Sequence, residues 1–236
     1  MKKTLFLVSF LLMFNWTFAQ INDSTRYKLN FKKLAIPTSI LVIGLTQVGH
    51  ESKELQVDIQ EDFPFFKSRL DDVAQYIPLS AVLLSGSLGL KTKNDFQSKF
   101  IYSAISYSVV GLSVNILKKT IKETRPDNSD NNSFPSGHTA FSFTGAEIFH
   151  QELKDIHPIL SYAGYPLAVG VGIYRMLNNK HYLSDVLVGA GLGMLSAKLA
   201  YAIYHPKTTD KKDKLSLNFS PSHVLGKNGF TLSATF

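Results

Sequence analysis

The chain has 236 residues, no cysteine, 18% charged residues and a formal net charge of +7. That length holds one domain with a core, and its charge content lies below the roughly 25% usual in soluble domains. Disulfides and thiolate metal sites are excluded, and the basic residues flank apolar runs rather than forming an aromatic-laced stripe, which argues for a membrane and against nucleic acid.

Residues 1–19 carry two lysines and then an apolar stretch, and Thr17-Phe18-Ala19 approximates a small-x-small cleavage site before Gln20. They read as an export signal, with an uncleaved anchor helix as the alternative. Uncharged runs follow at 34–50, 73–90, 100–117, 156–174 and 186–197. Each reaches or approaches the ~17–25 residues that a helix needs to span a bilayer. A further apolar segment after His138 contains Glu147, which predicts a helix enclosed by the others. Glu147 and His150 lie one turn apart there and read as a structural polar pair. Gly189 and Gly193 form a small-xxx-small pattern, common by chance. The expected fold is all-α, a polytopic membrane bundle of about five to six helices over residues 20–205. Residues 206–236 read as a charged linker and a small appended β-hairpin turning at Asn228-Gly229. A soluble helical bundle is the competing reading, because mean hydropathy is only +0.02.

Three charged clusters sit at the ends of successive runs. The first holds Lys118 and Arg125-Pro126, which alone would suit a basic helix end. The second is Pro135-Ser136-Gly137-His138. Ser136 is a suitable N-cap, and Gly137 lets backbone N–H groups approach an anion. The third places Arg175 six residues before His181 and Asp185 four after it. A helix starting near His181 would put His181 and Asp185 on one face, where the carboxylate fixes the tautomer and leaves the other nitrogen to attack. Antiparallel helices would bring all three clusters to one end of the bundle. Three cations and helix N–H groups suit phosphate, and two histidines suit a nucleophile and a general acid.

These residues resemble the type-2 phosphatidic acid phosphatase (PAP2) superfamily, whose pattern is K-x6-RP, PSGH and SR-x5-H-x3-D. Spacing and order match over residues 100–205, with Tyr174 standing where the pattern has serine. The resemblance implies a phosphatase without metal or other cofactor. His181 would be the nucleophile forming a phosphohistidine, Asp185 its orienting partner, and His138 the general acid and later base. Lys118, Arg125, Arg175, Ser136 and Gly137 would hold the phosphoryl oxygens. The long uncharged runs are more similar to the integral-membrane lipid phosphatases than to the soluble acid phosphatases or vanadium haloperoxidases of the superfamily. The stretches RPDNSDNNSFPSGHTA and NNKHYLSD, the signal-like start and the terminal Phe236 also resemble Bacteroidetes members of this group, lipid A 4′-phosphatases among them. The implied partners are a lipid phosphate substrate and membrane lipids. A soluble phosphomonoester substrate, or a non-catalytic headgroup binder, is the alternative.

Counting basic residues on alternate loops places Arg26, Lys28, Lys32, Lys33, Lys91, Lys93, Lys99, Lys154 and the lysines of 207–214 on one side. Lys53, Lys67, Arg69 and the cations around the clusters lie on the other. With the three phosphate ligands discounted the first side is richer, which predicts a site facing the periplasm of a Gram-negative cell. A cleaved leader conflicts with this count unless 34–50 fails to span.

Overall fold

The computed structural model describes residues 31–204, 216–224 and 227–235. The expected signal segment and most of the charged linker lie outside these residues. The helices are α1 (Phe31–Thr46), α2 (His50–Asp62), α3 (Leu70–Ala74), α4 (Ile77–Leu83), α5 (Phe96–Ile121), α6 (Gly137–Leu153), α7 (Gly164–Leu177) and α8 (Leu183–Ile203). A 3₁₀ turn, Leu160–Tyr162, precedes α7. The strands Ser216–Val224 (β1) and Lys227–Thr235 (β2) form an antiparallel pair.

Helices α6 and α8 are the centre of the bundle. Both are rich in Gly, Ala, Ser and Thr and are buried around nearly their whole circumference. A helix without a polar face must be enclosed by neighbours or by lipid. Here α1, α5, α7 and α4 surround the pair. Small residues let the two axes approach. A Cβ added at Gly189 would lie 2.6 Å from the Ser136 carbonyl oxygen, and one at Gly193 would run into the Ala140 carbonyl. The Gly189/Gly193 pattern is therefore used, as the seat of α6. Gly191 faces the other way, against Pro37 and Leu41 of α1, while Gly44 meets Leu187 and Val188. Helix α1 thus runs antiparallel to α8, with Lys32 and Lys33 at the end away from His181.

Gly193→Val should lower stability by about 3 kcal/mol or more, the upper end of the overpacking range, because the added carbons meet backbone rather than a flexible side chain. Gly170→Ala, where an added Cβ meets nothing within 4 Å, should stay within about 0.5 kcal/mol. Thermal unfolding midpoints of the two variants in one detergent check this contrast.

Large apolar side chains remain exposed around the outside, including Ile36 and Ile43 on α1, Phe100, Leu112 and Ile116 on α5, and Val169 and Ile173 on α7. Such a continuous exposed surface suits lipid. Among the described residues two helices, Phe96–Ile121 and Leu183–Ile203, are long and apolar enough to cross a membrane.

Four expectations about elements are corrected. Residues 73–90 do not form one spanning helix: α3 and α4 have only five and seven residues. Pro78 starts a new helix there, and Gly89 adopts a positive φ of 68°. The run 156–174 is likewise divided, with α7 proper starting at Gly164. Glu147 and His150 do not pair with each other. Glu147 accepts from Lys198 at 2.6 Å and Tyr165 at 2.7 Å, and His150 bonds Ser161 at 3.0 Å. In the hairpin, Asn228 pairs with His223 and Gly229 with Ser222. The turn therefore precedes Asn228-Gly229, which lie inside β2.

Candidate active site

Three chain segments converge at one end of the bundle. The long helix α5 delivers Lys118 in its last turn and stops at Lys122, which takes a left-handed φ of 50°. The following loop folds back: Arg125 N–H donates to Asp130 O at 3.0 Å, and Arg125 Nε donates to Asp130 Oδ1 at 2.8 Å. Lys118 Nζ donates to the carbonyls of Asn132 and Ser133. The loop re-enters at Ser136, the first residue before α6.

Ser136 occupies the N-cap with extended backbone, yet its side chain does not cap the helix. Its hydroxyl pairs with Thr139 Oγ1 at 2.9 Å. The first N–H groups of α6, those of Gly137 and His138, are then not taken by the cap side chain, which is the arrangement an anion needs. The Ser136 N–H donates to the carbonyl of Asp185 at 3.0 Å and so ties the second cluster to the third.

Asp185 is fully buried beside His181, the expected nucleophile. Its Oδ2 accepts from Ser133 Oγ at 2.5 Å and Tyr182 N–H at 2.9 Å, and lies 3.3 Å from His181 Nδ1. Helix α8 starts at Leu183, so His181 stands just outside it. The pair meets because Asp185, at the third helical position, reaches back over the N-terminus in a capping-box arrangement. This corrects the expectation of two residues on one helix face. Contact through Nδ1 leaves Nε2 as the nitrogen that can attack. Burial, with the positive charges of Lys118, Arg175 and Arg125 adding to it, holds the His181 imidazole well below the usual histidine range. This favours the neutral imidazole, the form that a nucleophile needs.

Arg175, in the last turn of α7, is 8% exposed. Its Nη1 donates to Asp71 Oδ2 at 2.7 Å, while its Nε is buried with no hydrogen-bond partner. A buried guanidinium donor left open among cations marks a place for an anion. His138 Nε2 lies 2.9 Å from Asp72 Oδ1. Two consecutive carboxylates of α3 thus hold two of the expected site residues, Arg175 and His138. Asp71, Asp72 and His138 also bring three potential metal-ligand atoms within 4.8 Å of one another. Asp71 and Asp72 are, however, already engaged by Arg175 and His138.

Lys118, Arg125, Arg175 and His138 lie within electrostatic reach of His181, Asp185 touches it, and Ser136, followed by Gly137, is bonded to Asp185. Sequence reasoning missed Asp71, Asp72 and Ser133, and it left Asn178, Asn179 and Lys180 without a role. Asn178 Oδ1 accepts from Ser68 N–H at 2.9 Å, and its Nδ2 donates to Ser68 O and Asp71 Oδ1. Asn179 takes a left-handed φ of 57° and accepts from Gln56 of α2 at 3.0 Å. Lys180 pairs with Asp127 at 2.5 Å, locking the Arg125 loop to the His181 loop. Tyr174 packs edge-on against Phe66, with ring centroids 5.4 Å apart.

The site opens into a cleft of about 900 Å³ with Lys67, Arg69, His138, Arg175 and Lys180 among its walls. Beside it, between α3 and α7, runs an apolar groove of about 330 Å³ lined by Leu70, Val73, Ile77, Leu167 and Gly170, with Asp71 and Tyr174 at its edge.

The PAP2 superfamily profile matches residues 99–209, which contain all three clusters. A lipid A 1-phosphatase of Porphyromonas gingivalis is 40% identical over 139 residues, covering 58% of this chain and 31% of that protein. A lipid A 1-phosphatase of Rhizobium etli is 26% identical over 160 residues, covering 56% of this chain and 66% of that protein. The chain thus spans less than two thirds of either relative's length. A crystal structure of a transmembrane PAP2-type phosphatidylglycerolphosphate phosphatase from Bacillus subtilis overlays with a TM-score of 0.53 at 21% identity, covering 73% of this chain and 95% of that one. That likeness concerns the fold.

Proposed function

From the match of residues 99–209 to the PAP2 superfamily profile we propose that the chain is a metal-independent phosphatase acting on a phosphate group of a membrane lipid. The observation that carries the reading is the buried His181–Asp185 pair beside an open Arg175 donor, at the head of a cleft that adjoins an apolar groove. A phosphate in the cleft meets Arg175 and His138, and we assign Lys118, Arg125 and the N-terminus of α6 to the same phosphoryl oxygens. An acyl chain on the same molecule has the groove between α3 and α7 to follow.

In the proposed sequence the Nε2 lone pair of His181 attacks phosphorus. The phosphorus–oxygen bond to the leaving group breaks as His138 gives that oxygen a proton. Asp185 stabilises the positive imidazole ring that forms. Water then attacks the phosphohistidine, His138 takes its proton, the nitrogen–phosphorus bond breaks, and inorganic phosphate leaves. The three cations and the backbone N–H groups stabilise charge that grows on the equatorial oxygens.

Lipid A phosphate is the substrate favoured by the names of both relatives. Purified protein, assayed in EDTA, should release phosphate from lipid A bearing a 1- or 4′-phosphate, phosphatidylglycerol phosphate or undecaprenyl pyrophosphate. It should act on these far faster than on p-nitrophenyl phosphate. A faster soluble monoester would favour an acid phosphatase, and strict dependence on added metal would remove the mechanism.

The proposed location is the inner membrane with the site facing the periplasm. Lys67 and Arg69 then lie outside, while Lys32, Lys33, Lys91 and Lys154 lie inside. Because the chain has no cysteine, single Cys variants report topology directly. Lys67→Cys should react with a membrane-impermeant maleimide in intact spheroplasts, and Lys91→Cys only after lysis. The reverse pattern would place the site in the cytoplasm.

A further inference from the structure

A second cavity, of about 590 Å³, lies at the end of the bundle away from His138 and His181. Along α6 the step from His138 to Lys154 is 16 residues, about 24 Å at the helical rise. The start of α1, the end of α6, the 3₁₀ turn with the start of α7, and Lys198 of α8 enclose it. Lys32, Lys33, Lys154 and Lys198 stand around it. Among the described residues Glu147 is the one carboxylate in its wall, and it is 1% exposed. Its oxygens are already taken by Lys198, Gln151 and Tyr165. Lys33, Lys154 and Lys198 against that carboxylate leave an excess of two positive charges among the described residues. Ile36, Pro37, Ile40, Phe143 and Met194 form an apolar stretch of the wall, and His150, Gln151, Tyr162 and Tyr165 complete it. Ile36 is among the exposed residues of α1, so the apolar wall continues onto the outer surface that suits lipid. A ring of cations above a greasy wall that opens sideways fits an amphiphile with an anionic head.

We propose that this cavity binds an anionic phospholipid, with its phosphate-bearing head against Lys33, Lys154 and Lys198 and an acyl chain along Ile36, Ile40, Phe143 and Met194. The site is separate from the catalytic centre, and its occupancy is read without turnover. Lysines that merely flank a membrane would attract anionic lipid at any exposed position. A built pocket holds one molecule and depends on its wall as well as its charge.

The test is binding of phosphatidylglycerol to the full chain in non-ionic detergent, followed by native mass spectrometry with vanadate occupying the catalytic site. One molecule per chain is expected, with phosphatidylcholine and millimolar inorganic phosphate failing to displace it. Removing two head-group lysines in Lys33→Ala with Lys154→Ala should weaken binding by about 30-fold, at about 1 kcal/mol per lysine. Lys91→Ala with Lys119→Ala, exposed cations elsewhere, should change it less than about threefold on the same scale. Ile40→Trp, which leaves every cation in place and narrows the wall, should also weaken it. Equal loss in the two lysine pairs, unchanged binding in Ile40→Trp, displacement by phosphate, or equal binding of phosphatidylcholine would each overturn the proposal.

Discussion

His181→Ala should lower turnover on a lipid phosphate by about 10⁴-fold or more, because no second group can take over the attack on phosphorus. His181 is 1% exposed, and Asp185 touches its Nδ1. Burial, and with it the neighbouring cations, favours its neutral form, which carries the lone pair the proposed attack needs. Asp185 keeps two of its partners in the variant, Ser133 Oγ and the Tyr182 N–H. The start of α8 should therefore stay folded, and the loss is chemical rather than structural. His181→Asn sharpens the comparison, since an amide can still donate to Asp185 but cannot form the covalent intermediate. Both variants should show a wild-type-like circular dichroism spectrum with turnover at background. Turnover above about a tenth of wild type in either would remove His181 as nucleophile; the mechanism requires the much larger loss.

Arg175→Met should act on two quantities at once. Turnover should fall by about 10²–10³-fold, the range for deleting one preorganised donor to a developing oxyanion. Stability should fall by about 3–5 kcal/mol, because Asp71 is left as a buried carboxylate without its ion partner. Asp71 is 1% exposed, and its remaining contact is Asn178 Nδ2 at 3.2 Å. Adding Asp71→Asn to the arginine variant removes the orphaned charge. The double variant should recover most of the melting temperature and none of the activity. Chemical denaturation and initial rates on the two single variants and the double complete the cycle. Recovery of activity along with stability would show that Arg175 serves the fold and not the phosphate.

Much of the site was legible because its parts are local. Lys118 to Arg125, Ser136 to His138, and Arg175 to Asp185 each fall within a short segment, and their spacing survives any packing of the helices. The antiparallel run of helices then brings the segments together. Asp71 and Asp72 were not legible. They are 104 and 66 residues from the partners they touch, Arg175 and His138. Nothing in their own neighbourhood distinguishes them from a polar loop. The reading of 73–90 as one span failed for a related reason. Apolar composition fixes burial in protein or lipid but not continuity, and Pro78 divides the segment into pieces too short to cross a bilayer. Polar helix α2 was missed because it has no apolar stripe. It is held by Gln56 to the Met176 carbonyl and Asn179, and by Ser52 to the Ser184 N–H, all at the catalytic end. The glycine pattern in α8 was visible but undecided, since only the position of the Ala140 carbonyl gives Gly193 its meaning.

The covalent step is the centre of the proposed mechanism, and trapping tests it. Wild-type protein in detergent and EDTA is mixed with a lipid substrate carrying ³²P in its terminal phosphate, quenched within milliseconds, and separated from lipid. Label should stay on the protein, be lost in acid and survive in alkali, as a phosphohistidine does, and His181→Ala should carry none. A wild-type protein that turns over substrate without ever holding label, or a label that persists in His181→Ala, would contradict nucleophilic attack by His181.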